Sequence, residues 1–248
     1  MIEIDNLHKA FASRGGPIRA VDGVSFRAAD GEITGLLGPN GAGKTTTLRM
    51  LYTLMRPDSG RVLIDGIDVQ SQPTAARSIL GVLPDARGIY KRLSARENIA
   101  YFGRLHGLDE HAIAERSARL AAALDMQEFL DRRAEGYSQG QRTKTAIARA
   151  LVHEPRNVVL DEPTNGLDVM TTRSLRRFLL ALRDEGRCIL FSSHVMQEVA
   201  ALCDRIVVIA HGRVLAIGTA AELRARTQTT SLEDAFVAVI GSDEGLLA

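Results

Sequence analysis

The chain lacks most of the features that mark secreted, membrane-spanning or nucleic-acid-binding proteins. It has only two cysteines among 248 residues, without the spacing of a disulfide framework or a zinc site. No apolar run approaches the ~18 residues of a membrane-spanning helix, and the first residues lack the basic and apolar stretches of a signal peptide. The net charge is only +1, which gives no reason to expect a nucleic-acid partner. We therefore expect a protein of the reducing cytoplasm with no membrane span of its own.

The order of the apolar segments predicts an α/β fold. Alternating residues at 2–7 and 20–26 predict antiparallel strands near the N-terminus. Short apolar runs at 33–37, 158–160 and 189–191, with helical patterns between the last two, predict a mostly parallel sheet with helices on its faces.

Residues 88–155 lack strand character and contain two capping-box sequences, which begin at Ser94 and Ser138. This segment is predicted to be an all-helical insert in a domain that covers residues 1–220. A strand hairpin is expected at 206–217, and residues 221–248 are predicted to form a short helical tail.

A P-loop pattern, Gly-x4-Gly-Lys-Thr, lies within residues 38–46. The segment consists of Gly38, Pro39, Asn40, Gly41, Ala42, Gly43, Lys44, Thr45 and Thr46. It follows the strand at 33–37 and precedes a helical pattern at 46–54, where backbone N–H groups and a helix N-terminus can cradle phosphate. Lys44 could reach the β- and γ-phosphates, and the Thr45 hydroxyl could bind Mg²⁺. The alternative is a glycine-rich turn that binds nothing.

Two acids, Asp161 and Glu162, follow the apolar run at 158–160. Carboxylates at the end of a buried strand are costly unless they are solvated, paired or bound to metal. Beside a P-loop, Asp161 would hold the Mg²⁺ shell and Glu162 would polarise the water that attacks the γ-phosphate. The alternative is a pair of helix-capping acids.

Four further segments resemble motifs of the ATP-binding-cassette (ABC) ATPases. Tyr137–Gln141 looks like the Leu-Ser-Gly-Gly-Gln signature, and 165–168 looks like the D-loop. His194 matches the switch histidine, and Phe11 matches the aromatic residue that stacks on adenine. The resemblance covers about residues 1–220 and implies a P-loop NTPase (RecA-like) core that hydrolyses ATP with Mg²⁺.

The resemblance also implies a role for each matching residue. Ser138, Gly140 and Gln141 would face the γ-phosphate held by a second subunit, so that two copies of the chain enclose two ATP molecules as a homodimer. His194 would contact the γ-phosphate, and Phe11 would stack on the base. From the residues alone, His194 could instead be an ordinary helix N-terminal residue and Phe11 a core residue. Gln139 departs from the family's usual glycine.

Asp85 stands where the family normally has the glutamine of the Q-loop. That glutamine is expected to approach Mg²⁺ and to couple the ATPase to its membrane partner. The Asp85 carboxylate could still bind the Mg²⁺ shell as a hard oxygen donor. The alternative is a plain turn aspartate after Pro84.

The family resemblance implies a separate multi-span permease that holds the ATPase at the cytoplasmic face of the inner (plasma) membrane. Residues 77–106 and 192–199 resemble the sodium-efflux, NatA-type subfamily, which implies export of sodium ions. Export of a drug or other small molecule is an alternative, and a soluble ABC protein without a transporter is another. A non-hydrolysing regulatory cassette is disfavoured by Lys44, Asp161, Glu162 and His194.

Overall fold

The computed structural model describes residues 1–13, 15–85 and 88–244. Its strands are β1 (Ile2–Phe11), β2 (Ile18–Ala28), β3 (Ile33–Leu37), β4 (Ser59–Ile64), β5 (Ile67–Asp68), β6 (Leu80–Leu83), β7 (Asn157–Asp161), β8 (Cys188–Ser193), β9 (Arg205–Ala210) and β10 (Arg213–Gly218). Its helices are α1 (Lys44–Leu51), α2 (Pro73–Ser78), α3 (Ala95–Leu105), α4 (Glu110–Ala123), α5 (Gln139–Leu151), α6 (Val169–Asp184), α7 (Met196–Leu202), α8 (Ala220–Thr227) and α9 (Leu232–Glu244). Within these residues, no helix combines the length and apolar character needed to cross a membrane.

The strands form two sheets. The N-terminal sheet is antiparallel, in the order β2-β1-β4-β5, and the second has the order β10-β9-β3-β8-β7-β6. All neighbours in the second sheet are parallel except β10 and β9. Leu37 pairs with Ser193, and Asp161 pairs with Ser192, so the carboxyl ends of β3, β7 and β8 meet at one edge. The predicted α/β class, with a parallel core and an antiparallel N-terminal part, is confirmed.

The P-loop helix is shorter than its apolar spacing predicts. Leu48 and Leu51 are fully buried, but α1 ends at Leu51 and Leu54 is 72% exposed. The backbone of Thr53 is left-handed, with φ of 66°, and the N–H groups of Leu54 and Met55 both bond to the Arg49 carbonyl. The predicted helix over 46–54 is therefore wrong at both ends. It begins earlier, at Lys44, and it ends at Leu51 because the backbone turns away at Thr53 and satisfies the Arg49 carbonyl with later N–H groups.

The described residues between β6 and β7 form helices α3, α4 and α5, as the sequence predicts. Ser94 caps α3 and Ser138 caps α5, each through a reciprocal capping box with the residue three positions later. Sequence analysis did not predict α2 or β6. Helix α2 spans only six residues and β6 only four, which is too short for a periodic pattern to stand out.

The helical tail packs on the main domain. Leu223 of α8 and Leu232, Ala235 and Ile240 of α9 are buried in the same apolar cluster as Ile206 of the parallel sheet. The tail is thus held by burial of apolar side chains, which is the main stabilising term for such elements.

A stacked histidine pair joins the ends of two helices of the insert. The rings of His106, after α3, and His153, after α5, lie 3.6 Å apart at 3° to each other. Nε2 of His153 lies 3.3 Å from the Leu80 carbonyl oxygen. Burial lowers the pKa of His153 to about 4, helped by the charges of His106, Arg116 and Arg187. The folded state therefore holds the neutral ring.

This pair predicts a loss of stability in acid. The unfolded chain binds more protons than the folded chain between His153's ordinary pKa of 6.5 and the folded value of about 4. The contribution of this group to the free energy of unfolding should thus be fully present above pH 6.5 and should be lost as the pH falls towards 4, by about 3 kcal/mol in all. His153→Phe keeps an aromatic face for His106 but cannot titrate, so denaturant unfolding should show a shallower pH slope. His111→Phe, at an exposed helix position, should keep the wild-type slope; an equal slope in all three proteins would contradict the assignment.

Candidate functional site

The P-loop connects β3 to α1 through glycines that the surroundings require. Gly43, with φ of 101°, precedes the first helical residue, Lys44. A Cβ atom at Gly43 would lie 2.4 Å from the Ala20 carbonyl oxygen, and one at Gly38 would lie 2.2 Å from that of Ile209. Such distances are impossible without moving backbone, so both positions need glycine. The loop therefore curls tightly around the N-terminus of α1.

An open cavity of about 500 Å³ lies at this N-terminus. It is lined by P-loop residues 40–46 and by Ala20, Asp85, Glu162, Asn165 and His194. The cavity lies at the sheet edge where β3, β7 and β8 end. Ligands of open α/β sheets bind at this edge. Most of the predicted P-loop, Glu162 and His194 thus line one cavity, and Asp161 adjoins it through the hydrogen bond that it accepts from Thr45.

Lys44 is nearly buried and held by three acceptors. Its Nζ atom donates to the Gly38 carbonyl at 2.7 Å and to the Pro39 carbonyl at 3.1 Å. The same atom lies 3.5 Å from Glu162 Oε1. These contacts place one ammonium charge at the mouth of the P-loop, where it can meet phosphate oxygens.

Asp161 is fully buried and only partly satisfied. Its Oδ1 accepts hydrogen bonds from Ser192 Oγ at 2.6 Å and Thr45 Oγ1 at 3.4 Å. Its Oδ2 has no hydrogen-bond partner among the described residues. Burial raises the pKa of Asp161, Ser192 and Thr45 oppose this, and the charges of Asp85 and Glu162 raise it further. An orphaned carboxylate oxygen beside a hydroxyl suits a hard divalent cation, which would favour the ionised form.

Asp161 and Thr45 do not form an all-protein metal cage. No cluster of three or more histidine, cysteine or acidic side chains suited to a metal occurs in the part of the chain that the structure describes. This fits Mg²⁺, which usually binds one or two carboxylates and takes its other ligands from water and substrate phosphates.

Glu162 is held in an uncommon backbone conformation. Its φ is 48°, in the left-handed region that side chains other than glycine rarely adopt. The Glu162 N–H donates to Ser192 Oγ at 3.0 Å, and its Oε2 lies 2.9 Å from His194 Nδ1. Its two carboxylate oxygens thus face a lysine and a histidine, and the acid pair does not cap a helix.

Ser192 is a site residue that the sequence did not single out. Its hydroxyl accepts from the Glu162 N–H and donates to Asp161. It therefore fixes both acids from the neighbouring strand β8. Only the register of β7 against β8 brings these residues together, and register is not visible in a single sequence.

Asp85 is exposed and lines the cavity. Its charge contributes to the raised pKa of the buried Asp161. The next two residues, 86 and 87, lie outside the described residues. Asp85 thus lines the same cavity as Glu162, and its binding of the Mg²⁺ shell stays a prediction.

Ser138, Gly140 and Gln141 lie at the start of α5, away from this cavity. Ser138 Oγ accepts from the Gln141 N–H at 3.2 Å, and Gln141 Oε1 accepts from the Ser138 N–H at 3.0 Å and from Arg132 at 3.0 Å. None of the three lines the cavity of its own chain. Their predicted contact with the nucleotide of a second subunit stays a prediction.

Phe11 ends β1 and is 40% exposed. It pairs across the hairpin with Ile18, and Lys9 Nζ lies 6.0 Å from its ring centroid. It is not a core residue, so that alternative is wrong. The Phe11 ring does not line the cavity, although Ala20 on the paired strand β2 does. Stacking of Phe11 on adenine therefore stays a prediction.

Comparison with known proteins agrees with these motifs. The ABC transporter family profile matches residues 21–165. The ABC transporter ATP-binding protein NatA of Bacillus subtilis (strain 168) is 41% identical over 96% of this chain and 97% of its own length. The doxorubicin resistance ATP-binding protein DrrA of Mycobacterium tuberculosis (strain ATCC 25618 / H37Rv) is 38% identical over 97% of this chain and 75% of its own.

Solved structures give the same result. The ATP-binding subunit of an ABC transporter superposes with a TM-score of 0.88 at 27% identity, covering 97% of this chain and 99% of the other. A bacterial ABC transporter cassette, described as dimeric, superposes with a TM-score of 0.81 at 25% identity, covering 88% and 98%. Sequence, fold and site thus agree, and the chain belongs to the ABC transporter family as one of its ATP-binding subunits, an ATPase.

Proposed function

We propose that hydrolysis depends on Lys44, Glu162 and His194, whose contacts at the cavity carry the assignment. Lys44 binds the β- and γ-phosphates of ATP in place of some of its present carbonyl contacts. Glu162 accepts a proton from the attacking water. With His194 Nδ1–H donating to Glu162, Nε2 can donate to a phosphate oxygen only when the ring is protonated, and it then stabilises developing negative charge.

We assign the Mg²⁺ of MgATP to Asp161 and Thr45. The ion, when bound, neutralises phosphate charge in the transition state. Asp161 Oδ2 would be the ligand, because it has no hydrogen-bond partner among the described residues, whereas Oδ1 accepts from Ser192 and Thr45. Asp85, which lines the same cavity as Thr45, is a further oxygen donor that we propose for the ion's water shell.

The working form is a head-to-tail homodimer. Ser138 and the backbone N–H groups near Gly140 and Gln141 form the N-terminus of α5, where the helix dipole favours an anion. Since these groups lie outside the cavity of their own chain, the γ-phosphate they meet belongs to the second subunit. The dimeric cassette among the similar structures supports this arrangement.

The ATPase drives export through a separate multi-span permease at the cytoplasmic face of the inner membrane, with sodium as the cargo. The observation that carries the cargo assignment is the resemblance of residues 77–106 to the sodium-efflux subfamily, joined to 41% identity with NatA. No sodium ligand is assigned to this chain. Closing on ATP and opening after hydrolysis would bias the permease between its inward and outward states.

Transport in inside-out vesicles tests this proposal. With the chain, its permease and ATP, sodium should accumulate inside the vesicles, and accumulation should persist when an ionophore collapses the proton gradient. Vesicles with the permease alone serve as the control. Sodium uptake that disappears with the proton gradient would contradict direct ATP-driven export.

A drug or other small molecule is the second candidate cargo. The 38% identity to DrrA, named for doxorubicin resistance, favours it. The Nod factor export ATP-binding protein I of Rhizobium sp. (strain N33), 36% identical over 88% of this chain, points to organic cargo as well. If the same vesicles accumulate doxorubicin and not sodium, the cargo assignment changes while the ATPase assignment stands.

A further inference from the structure

The half-buried carboxylate of Glu198, on α7, is bonded to the two chain segments that carry Glu162 and His194. Its Oε2 atom accepts hydrogen bonds from Thr164 Oγ1 and, at 3.3 Å, from Ser193 Oγ. These donors are distant in the chain, because Thr164 follows β7 and Ser193 ends β8. Glu198 itself lies outside the described lining of the P-loop cavity. One carboxylate oxygen thus ties two segments together without reaching the cavity.

Thr164 belongs to a turn that begins at Glu162. The Asn165 N–H donates to the Glu162 carbonyl at 3.2 Å and closes this turn. Glu162 and Asn165 both line the P-loop cavity. Because Thr164 lies inside the turn, a hydrogen bond to its side chain restrains the backbone that carries the Glu162 carboxylate.

Ser193 restrains the backbone on both sides of His194. Its side chain is fully buried, and its hydroxyl accepts from the Val195 N–H at 3.0 Å and donates to Glu198. His194 stands between Ser193 and Val195, and its Nδ1 atom lies 2.9 Å from Glu162 Oε2. The bond between Ser193 and Glu198 therefore also restrains the residue that carries the imidazole.

Helix α7 gives Glu198 a firm support. Val199 is fully buried and Leu202 is 7% exposed, and both belong to the same apolar cluster as Phe191 of β8. The alternative explanation of Glu198 is that an acid in the first turn of a helix is favoured by the helix dipole alone. The dipole does not account for the two hydroxyl donors, which both lie outside the helix.

We propose that Glu198 is a positioning residue, which holds Glu162 and His194 at hydrogen-bond distance during ATP hydrolysis. It acts on Glu162 through Thr164 and on His194 through Ser193. Hydrogen bonds to an ionised acceptor are stronger than those between neutral groups, and small displacements of catalytic groups cost large factors in rate. The inference rests on the proposed function, because it takes the roles of Glu162 and His194 in hydrolysis from there.

ATP hydrolysis and equilibrium ATP binding by variants of the full chain test this role. Glu198→Ala should lower kcat about tenfold to a hundredfold and leave ATP affinity within a fewfold of wild type, because the P-loop contacts are intact. Glu198→Gln should keep most of the wild-type kcat, since its amide oxygen can accept the same hydroxyls. Thr164→Val keeps the shape of the side chain without the hydroxyl, so it should also lower kcat, and it decides the question if Glu198→Ala does not fold. Gln197→Ala, at an exposed position on the same helix, is the matched control and should hydrolyse ATP as wild type does.

A double-mutant cycle separates positioning from a general effect on the fold. In a His194→Ala background there is no imidazole to position, so adding Glu198→Ala should lower kcat much less than it does in the wild-type chain. If the two effects simply multiply, or if Glu198→Gln is as slow as Glu198→Ala, Glu198 does not act by positioning this pair. If His194→Ala is slow and Glu198→Ala turns over at the wild-type rate, the inference fails and the proposed function stands. If His194→Ala itself hydrolyses ATP at the wild-type rate, the proposed role of His194 fails and the inference fails with it.

Discussion

Replacing Glu162 with glutamine should leave ATP bound and unhydrolysed. Glutamine keeps the size and shape of the side chain between Lys44 and His194, but its amide cannot accept a proton from water. Loss of a positioned general base lowers the rate of such a step by about a hundredfold to ten-thousandfold. ATP affinity should stay within a fewfold of wild type, because the P-loop contacts are untouched. Phosphate release and equilibrium ATP binding, measured on the same preparation, separate the two effects.

Glu128→Gln is the matched control for this substitution. Glu128 is exposed and outside the cavity lining, so the variant should hydrolyse ATP at the wild-type rate. Wild-type turnover in Glu162→Gln would remove Glu162 from the mechanism. Slow turnover with lost ATP binding would instead assign Glu162 to positioning Lys44, whose Nζ lies 3.5 Å from its Oε1.

Two inactive variants should restore activity to each other when they are mixed. Lys44→Ala removes the ammonium of the P-loop, and Ser138→Arg blocks the N-terminus of α5, so each alone should lose at least about a hundredfold in ATP hydrolysis. In a mixed head-to-tail dimer, one site carries both lesions and the other carries neither. With random exchange and independent sites, a 1:1 mixture should regain about a quarter of wild-type activity.

Covalently linked dimers make this experiment decisive. A linked pair with Lys44→Ala in one half and Ser138→Arg in the other should be active, because one shared site carries neither lesion. A linked pair with both changes in one half should be inactive, because each shared site then carries one lesion; activity in this pair would place a complete site within one half and contradict the head-to-tail arrangement. If ATP hydrolysis needs two intact sites in the same dimer, both linked pairs should be inactive. Because linked halves cannot exchange, this result would separate such cooperation from a failure of the mixed subunits to form heterodimers. If Ser138→Arg alone retains wild-type turnover, the start of α5 does not contribute to the site.

The sequence predicted the elements that depend on short-range chemistry. The P-loop glycines, the capping boxes at Ser94 and Ser138, and the buried acid pair each leave a local pattern. The structure places these elements where the patterns predict them, because strand, turn and cap preferences act over a few residues. The meeting of the P-loop and the acid pair at one sheet edge followed from the parallel topology.

Features that depend on long-range packing could not be predicted in this way. Ser192 acts through the register between β7 and β8, two strands that are distant in the chain. Leu54 illustrates the limit: its spacing from Leu51 fits a helix, yet the tight exit at Thr53 sends it to the surface. A local pattern cannot reveal which apolar residue is left outside the core.

The left-handed backbone at Glu162 has an evolutionary consequence. Glycine would occupy a φ of 48° without the strain that a glutamate carries, so mutation to glycine at this position should be accepted by the fold. Only natural selection for turnover opposes that change, since marginally stable proteins readily accept stabilising changes that spare their function. Descendants of this chain that retain ATP as a structural ligand but abandon its cleavage should therefore lose the glutamate early, while Lys44 persists.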